Sequence, residues 1–260
     1  MGILNITPDS FSDGGEFFNV KKALLQTKNL VQSGIDILDI GAQSTRPGAD
    51  DIGVDEEIKR LIPALVEIRK DFPNLTISVD TFNSEVAYEA LKRGANWIND
   101  VSGGLRDKSI LDVVADFNCP YVITHSKGNS KTMDKLSFYN DLIEEITNHL
   151  KELTEIAIEK KVSKDKIIWD PGLGFAKNND QNIAVLKNLD KLKSFDLPLL
   201  VGASRKRFIG EILKEENPKN RDIGSLAVSC LCAQKNIEAV RVHNASFNWQ
   251  ILKVADKLFR

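Results

Sequence analysis

Charged and amide side chains follow short apolar runs at intervals along this 260-residue chain. Asp170 comes directly after Ile167-Ile168-Trp169 and before Pro171-Gly172. Asp80 follows Leu75–Val79, Asn99 follows Trp97-Ile98, and Asn5 lies in the run Ile3–Thr7. His125 ends Tyr121–Thr124, and Thr45-Arg46 come after Ile37–Ile40. Ser204, Arg205 and Lys206 follow Leu199–Val201, while Arg241 and His243 close Ala239–Val242. A carboxylate at the end of a buried strand is expensive unless something pairs with it. Asp80, Asn99 and Asp170 offer acceptors that suit a flat heterocycle bearing amino and ring N–H groups, and Lys206 can donate to a ring carbonyl. Arg46, Arg241 and His243 offer cationic donors of the kind that hold a phosphate or diphosphate. Taken singly, each has an ordinary alternative. Asp80 and Asp170 read equally as caps or ion pairs, and Arg205 and Lys206 as the solvated start of a helix. His125 reads as a satisfied structural histidine, and His149, among polar neighbours on a helix, as surface.

Position along the elements favours the joint reading. The runs above read as eight strands, each followed by a segment of helical periodicity. The helices are expected near 20–33, at Glu56–Lys70 with Pro63 as a kink, and between Asn83 or Ser84 and Gly94. Others are expected around Leu111–Ala115, over 139–160, at Asn182–Leu192, Ile223–Gln234 and Trp249–Leu258. Strands alternating with helices imply a parallel sheet, and eight such units in about 250 residues match a (β/α)8 TIM barrel. An open doubly wound sheet is the alternative, but no G-x-G-x-x-G follows the first strand. With no linker or low-complexity tract, residues 1–260 read as one domain. The charged stretch Lys214–Arg221 reads as a mobile loop. In a barrel every strand's C-terminal end opens on one face, so the polar residues above would meet there.

Composition sets limits on partners. A net charge of −2 argues against nucleic acid as a main partner. With 42% hydrophobic and 28% charged residues the chain is an ordinary globular sequence. No apolar run is long enough to span a membrane and no signal-peptide pattern opens the chain, so a cytoplasmic protein is expected. Cys119, Cys230 and Cys232 show neither even number nor ligand spacing and read as reduced thiols. No H-E-x-x-H or G-x-S-x-G motif is present, so any metal is expected to be Mg²⁺ held mainly by a diphosphate.

Five segments resemble the dihydropteroate synthase family. They are Gly2-Ile3-Leu4-Asn5-Ile6-Thr7-Pro8-Asp9-Ser10-Phe11-Ser12-Asp13-Gly14-Gly15, Ser44-Thr45-Arg46-Pro47-Gly48, Asp170-Pro171-Gly172-Leu173-Gly174-Phe175, Ser204-Arg205-Lys206 and Arg241-Val242-His243. The resemblance runs from the first strand to the last. It implies a pterin-binding barrel that joins 4-aminobenzoate to 7,8-dihydropterin-6-ylmethyl diphosphate in folate biosynthesis. By motif, Asp80, Asn99, Asp170 and Lys206 would hold the pterin. Asn5, Arg46, Arg241 and His243 would hold the diphosphate, with Asn5 at the Mg²⁺. Thr45, Pro47, Phe175 and Ser204 would meet the aminobenzoate, where sulfonamides compete. Asp80, Lys206, Arg241 and His243 would carry the catalytic roles, and a homodimer through the late helices is expected.

Three positions depart from the family pattern. Ala42-Gln43 stands where Gly-Glu is common, Thr124-His125-Ser126 where Met-His-Met is common, and Asn244 where Asp is usual. Two rivals stay in view: a pterin-binding methyltransferase on a similar barrel, which would share Asp80, Asn99 and Asp170, and a paralogue that binds pterin, or only stabilises a partner, without turnover, which these departures alone support. The cations at Arg46, Lys206, Arg241 and His243 favour the synthase over the first.

Overall fold

The computed structural model describes residues 1–7, 16–45 and 48–260, with the side chains of the first helix described from residue 20. Arg46 and Pro47 lie outside the described residues, as does most of the loop after the first strand. The strands and α-helices, in chain order, are β1 (Gly2–Asn5), α1 (Glu16–Gln32), β2 (Ile37–Gly41), α2 (Val54–Asp71), β3 (Thr76–Asp80) and α3 (Ser84–Lys92). Next come β4 (Trp97–Asp100), α4 (Ser109–Phe117), β5 (Tyr121–Thr124), α5 (Leu142–Glu159), β6 (Ile167–Asp170), α6 (Asn179–Lys187) and α7 (Leu189–Lys193). The chain ends with β7 (Leu200–Val201), α8 (Arg207–Leu213), α9 (Asp222–Gln234), β8 (Ala239–Val240) and α10 (Ala245–Phe259).

Strands β1 to β6 form one parallel sheet in sequence order, and β7 pairs with β8. Parallel bridges from Trp169 to Leu199 and from Gly2 to Val242 join the two. At the second seam the Ile3 N–H donates to the Val242 carbonyl, and the Val242 N–H to that of Met1. The ring is thus closed, which leaves no open edge strand among the described residues. This is the expected (β/α)8 barrel.

Successive strand residues face opposite sides of the wall. One set, including Leu4, Leu38, Ile40, Ile77, Val79, Ile98 and Trp169, packs in the large core shared with the helices. The other set makes a separate interior cluster of Met1, Val122, Ile168 and Leu200, with Ile37, Trp97 and Ala239 against it. Two residues further along those strands, on the same side, stand Asp39, Asn99, Thr124, Asp170, Gly202 and Arg241. The barrel interior is therefore apolar at the strand starts and polar at the strand ends.

Local chemistry sets the helix limits. Asp141 caps α5 by accepting from the Ile143 and Glu144 N–H groups, and Asn178 with Gln181 forms a capping box on α6. Asn83 stands at the start of α3 but does not cap it. Its side chain donates to Glu57 Oε2, and the Ser84 N–H is met instead by Asp107 from the next loop. The helix expected over Asn182–Leu192 is two, α6 and α7, parted at Asn188, whose side chain bonds the Ala184 carbonyl. Helix α8 was not expected, and α10 starts at Ala245, capped by Asn244. Helix α2 runs on through Pro63. The Lys214–Arg221 stretch is tied down. Arg221 is buried and donates to the carbonyls of Glu215, Glu216 and Arg205.

One carboxylate of the β4 end faces away from the interior. Asp100 accepts from the N–H groups of Ser102 and Gly104 and from the Tyr121 hydroxyl, each at 2.7 Å. Burial pushes its carboxyl above the usual range, and the hydrogen bonds oppose that. A hydrogen bond to such a group contributes about 1.5–3 kcal/mol. Tyr121→Phe is expected to lower unfolding stability by about that amount, read as a lower urea midpoint at unchanged slope.

Candidate functional site

Strand register assembles half of the site. Asn5 lies opposite Gly41, Gly41 opposite Asp80, and Asp80 opposite Asn99. Four neighbouring strands thus present an amide, a gap, a carboxylate and an amide in one row at the mouth. The gap is needed, since a Cβ at Gly41 would stand 3.3 Å from that of Asp80. Across the interior, Asp170 ends β6 opposite Thr124. Asp80, Asn99 and Asp170 are all buried, whereas Asn5 is only partly so.

Arg241 ties these acceptors together. Its Nη2 donates to Asp80 Oδ2 at 2.7 Å and its Nε to Asp39 Oδ2 at 2.5 Å. Asp39 Oδ2 also accepts from Asn99 Nδ2 at 3.2 Å. The guanidinium is pushed to a still higher pKa by Asp39 and Asp80, against the cost of burial. Burial raises the Asp80 carboxyl to about 7, with Arg241 opposing and Asp39 adding to the rise. Burial raises Asp170 too, countered by the Gly172 N–H and by the charges of Lys206 and Arg241. Asp39 was not singled out from the sequence. Its signal was a carboxylate two residues before Gly41 on an otherwise apolar strand, hence on the interior side.

The turn after β6 folds back over the mouth. Asp170 Oδ1 accepts from the Gly172 N–H at 2.7 Å. Only glycine fits there, because φ is +68° and a Cβ would lie 1.9 Å from the His125 carbonyl oxygen. Lys206 lies along Gly174, with its Nζ 4.6 Å from the centre of the Phe175 ring. The turn after β7 sends its neighbours apart. Arg205 takes φ +61° and holds Asp222 through two bonds of 2.6 and 2.9 Å. Ser204 points to the segment after β8, where its hydroxyl accepts from the His243 N–H at 3.1 Å and meets Nδ1 of the same residue at 3.0 Å. Asp80, Asn99, Asp170 and Arg241 thus share the interior end, and Ser204 is tied to His243.

The rim is cross-braced where it is described. The Gly48 N–H donates to the Ser130 carbonyl, Ser130 Oγ to the Ala49 carbonyl, and Lys131 pairs with Asp50 at 2.7 Å. Arg106 pairs with Asp51 at 2.6 Å and lies over the Phe82 ring. The segment that follows Thr45, Arg46 and Pro47 is therefore fastened to the loops after β4 and β5. Thr45 itself is partly buried. His125 is fully buried as a structural group. His149 is not the surface residue expected. Its ring meets that of His125 edge-on at 5.0 Å.

Comparison with known proteins places this mouth in a family. The model of the family described as pterin binding enzyme matches residues 1–243. A dihydropteroate synthase from Synechocystis is 46% identical over 260 residues, spanning 100% of this chain and 90% of that protein. A dihydropteroate synthase from Clostridium difficile, solved in the presence of pteroic acid, superposes with a TM-score of 0.94 at 39% identity, over 100% of this chain and 96% of the other. A Xanthomonas albilineans dihydropteroate synthase with 4-aminobenzoic acid has a TM-score of 0.93 at 39% identity, over 99% and 92%. With the closed barrel and its polar mouth already in place, these matches leave one assignment: the chain belongs to the pterin-binding enzymes, in the dihydropteroate synthase family.

Proposed function

We propose that the chain condenses 7,8-dihydropterin-6-ylmethyl diphosphate with 4-aminobenzoate to give 7,8-dihydropteroate and diphosphate. The observation that carries this is the interior layer of Asp80, Asn99, Asp170 and Arg241 beside Lys206. It is a set of acceptors for a pterin's amino and N–H edge, next to cations for an anion. The carbon–oxygen bond to diphosphate breaks, the arylamine nitrogen bonds to the exocyclic carbon, and its proton leaves to solvent. The dihydropterin is electron-rich, so bond breaking runs ahead of attack in an SN1-like substitution. Asp80 offsets the growing positive charge on the pterin. Arg241 and His243 lower the cost of the departing charge, as pre-placed donors do where charge develops. Lys206 meets the pterin carbonyl, and Thr45, Phe175 and Ser204 face the aminobenzoate, to which the family motif would add Pro47.

Mg²⁺ fits the same reading. Among the described residues no group of three or more His, Cys, Asp or Glu side chains is placed to hold a metal. The ion binds hard oxygens and keeps several waters, so one amide oxygen from Asn5 at the rim suffices when the diphosphate supplies the rest. An ion held there would supply charge neutralisation for the leaving group. Arg46 completes the anion side.

The late helices support a homodimer. Ile223 and Leu258 are 77% and 71% exposed, with Phe247 and Val254 also open on α9 and α10. No helix among the described residues is long and apolar enough to cross a membrane. All three cysteines are free thiols, which suits a reducing cytoplasm.

Purified protein given the pterin diphosphate, Mg²⁺ and 4-aminobenzoate is expected to release diphosphate and dihydropteroate in equal amounts, with a sulfonamide competing against the aminobenzoate. Pterin binding without product would instead mark a paralogue that only binds. Asp80→Asn is expected to lower kcat by about 10²-fold or more, the scale of removing one preorganised charge-stabilising group. Normal turnover in that variant would remove the role given to the carboxylate. The pterin's N–H groups favour ionised Asp80, so affinity should fall by up to about tenfold per pH unit below the Asp80 value of about 7, and level off above it. The Asn variant should lose that slope in calorimetric titrations. For folding the sign is opposite. The unfolded chain releases this proton near 3.8, so the ligand-free fold loses some stability as pH climbs from there towards 7. In sedimentation the chain should run at twice its 29.0 kDa mass, and Ile223→Glu as a monomer.

A further inference from the structure

Lys177 is a cation without an assigned task. It is only 6% exposed, and its nearest partners are not carboxylates. Its Nζ lies 2.8 Å from His125 Nδ1, 3.0 Å from the Gly172 carbonyl oxygen and 3.1 Å from that of Phe175. An ammonium group has three donors and no acceptor. Burial draws the Lys177 amine down to about 7; in its charged form all three donors meet acceptors when the neutral His125 ring leaves Nδ1 free to accept. Burial and the neighbouring Lys177 charge hold His125 well below its usual pKa, so the ring is neutral.

The three contacts enclose one turn. Residues 172–176 form the turn that folds back over the mouth, with Gly172, Leu173 and Ala176 buried, so their polar groups need partners inside the protein. Asn182 supplies the second set. Its Oδ1 accepts from the Gly174 N–H at 2.7 Å, and its Nδ2 donates to the carbonyls of Lys177 and Asn178. The Ala176 carbonyl takes the Tyr139 hydroxyl at 3.0 Å. Ala176 itself sits at φ +48°, a left-handed conformation that disfavours a residue with a Cβ. Such a turn holds its shape only if its surroundings enforce it. Phe175 rides on it, facing the Lys206 ammonium.

We propose that Lys177 and His125 form a clasp that positions Phe175, and so acts on aminobenzoate binding without touching either substrate. The assignment of Phe175 to the aminobenzoate rests on the function proposed above; the clasp itself rests on the geometry. Losing either partner should loosen the far part of the turn, residues 174–176, while Asp80, Asn99 and Asp170 stay in place at their strand ends, Asp170 still held by the Gly172 N–H.

Four proteins test this: the natural chain, Lys177→Met, His125→Leu and His125→Asn. The Asn side chain can put an oxygen where Nδ1 stands, so it keeps the acceptor that Leu removes. Lys177→Met and His125→Leu are expected to raise the KM for 4-aminobenzoate at least tenfold. The Kd for the dihydropterin diphosphate, by calorimetry, should move less than threefold, and His125→Asn should restore the KM to within threefold. Hydrogen exchange should rise at residues 174–176 in the first two variants and remain slow in β6. An unchanged KM, a parallel loss of both affinities, or unaltered exchange would overturn the clasp. The His125 pair keeps the test sharp if Lys177→Met folds poorly. If the natural chain makes no dihydropteroate, the functional reading fails, while the exchange comparison still decides the clasp.

Discussion

The mouth of this barrel depends on how one guanidinium is shared. Arg241 reaches Asp39 and Asp80 at once, and Asn99 hangs from the same Asp39 oxygen. Three strands are cross-linked from the inside by this one side chain. Lysine cannot replace it, since only a planar fork reaches two carboxylates in set directions. Removing a buried partner leaves a charge without compensation, a loss of about 3–5 kcal/mol. The buried carboxylates Asp39 and Asp80 are therefore a burden to the ligand-free fold, and Arg241 is what makes them tolerable. Asp80 nevertheless stays high in pKa, because burial outweighs the pull of Arg241 and the charge of Asp39 adds to the rise. A ligand that brings its own N–H donors would relieve that shortage.

The barrel wall allows this because it separates two jobs by residue parity. Outward residues such as Leu38, Ile40, Ile77 and Val79 are wholly buried and join the helices to the wall. Inward residues change character along each strand, from Ile37 to Asp39, Trp97 to Asn99, Ile168 to Asp170 and Ala239 to Arg241. The apolar floor of Met1, Val122, Ile168 and Leu200 lies beneath the charged layer, where little water can screen it. That arrangement strengthens every interaction above it.

Most of this was readable in the sequence, for a physical reason. Parallel strands buried on both faces read as short apolar runs, and a polar residue that ends one must lie at the mouth. Asp80, Asn99 and Asp170 were legible on that ground. Asp39 was not, because it sits inside its strand and looks like a break in the pattern. Its meaning depends on Arg241, about 200 positions away, which register alone brings alongside. His149 misled through local context. Its polar neighbours on α5 suggested solvent, but the ring turns in against His125. Lys177 lies two residues beyond the Asp170–Phe175 segment, and a lysine in a loop ordinarily reads as solvated. The Lys214–Arg221 stretch failed in the same way, since Arg221 is held by backbone carbonyls that no composition reveals.

The departures from the family pattern also have local physics. Asn244 caps α10 through the Phe247 N–H and donates its amide to Asp222 Oδ2 at 3.1 Å. An aspartate there would cap the helix equally well but would face Asp222 with a second negative charge. Asp222 is the carboxylate that holds Arg205 in its left-handed turn, and that turn sends Ser204 to His243 and Lys206 to Gly174. In this chain the amide at 244 therefore supports the β7 turn rather than weakening the site. Ser126 has a comparable place, with its hydroxyl on the Val101 carbonyl, linking the loops after β4 and β5. A thioether would pack there but could not make that link. Both changes exchange one way of holding the mouth for another, so neither points away from turnover.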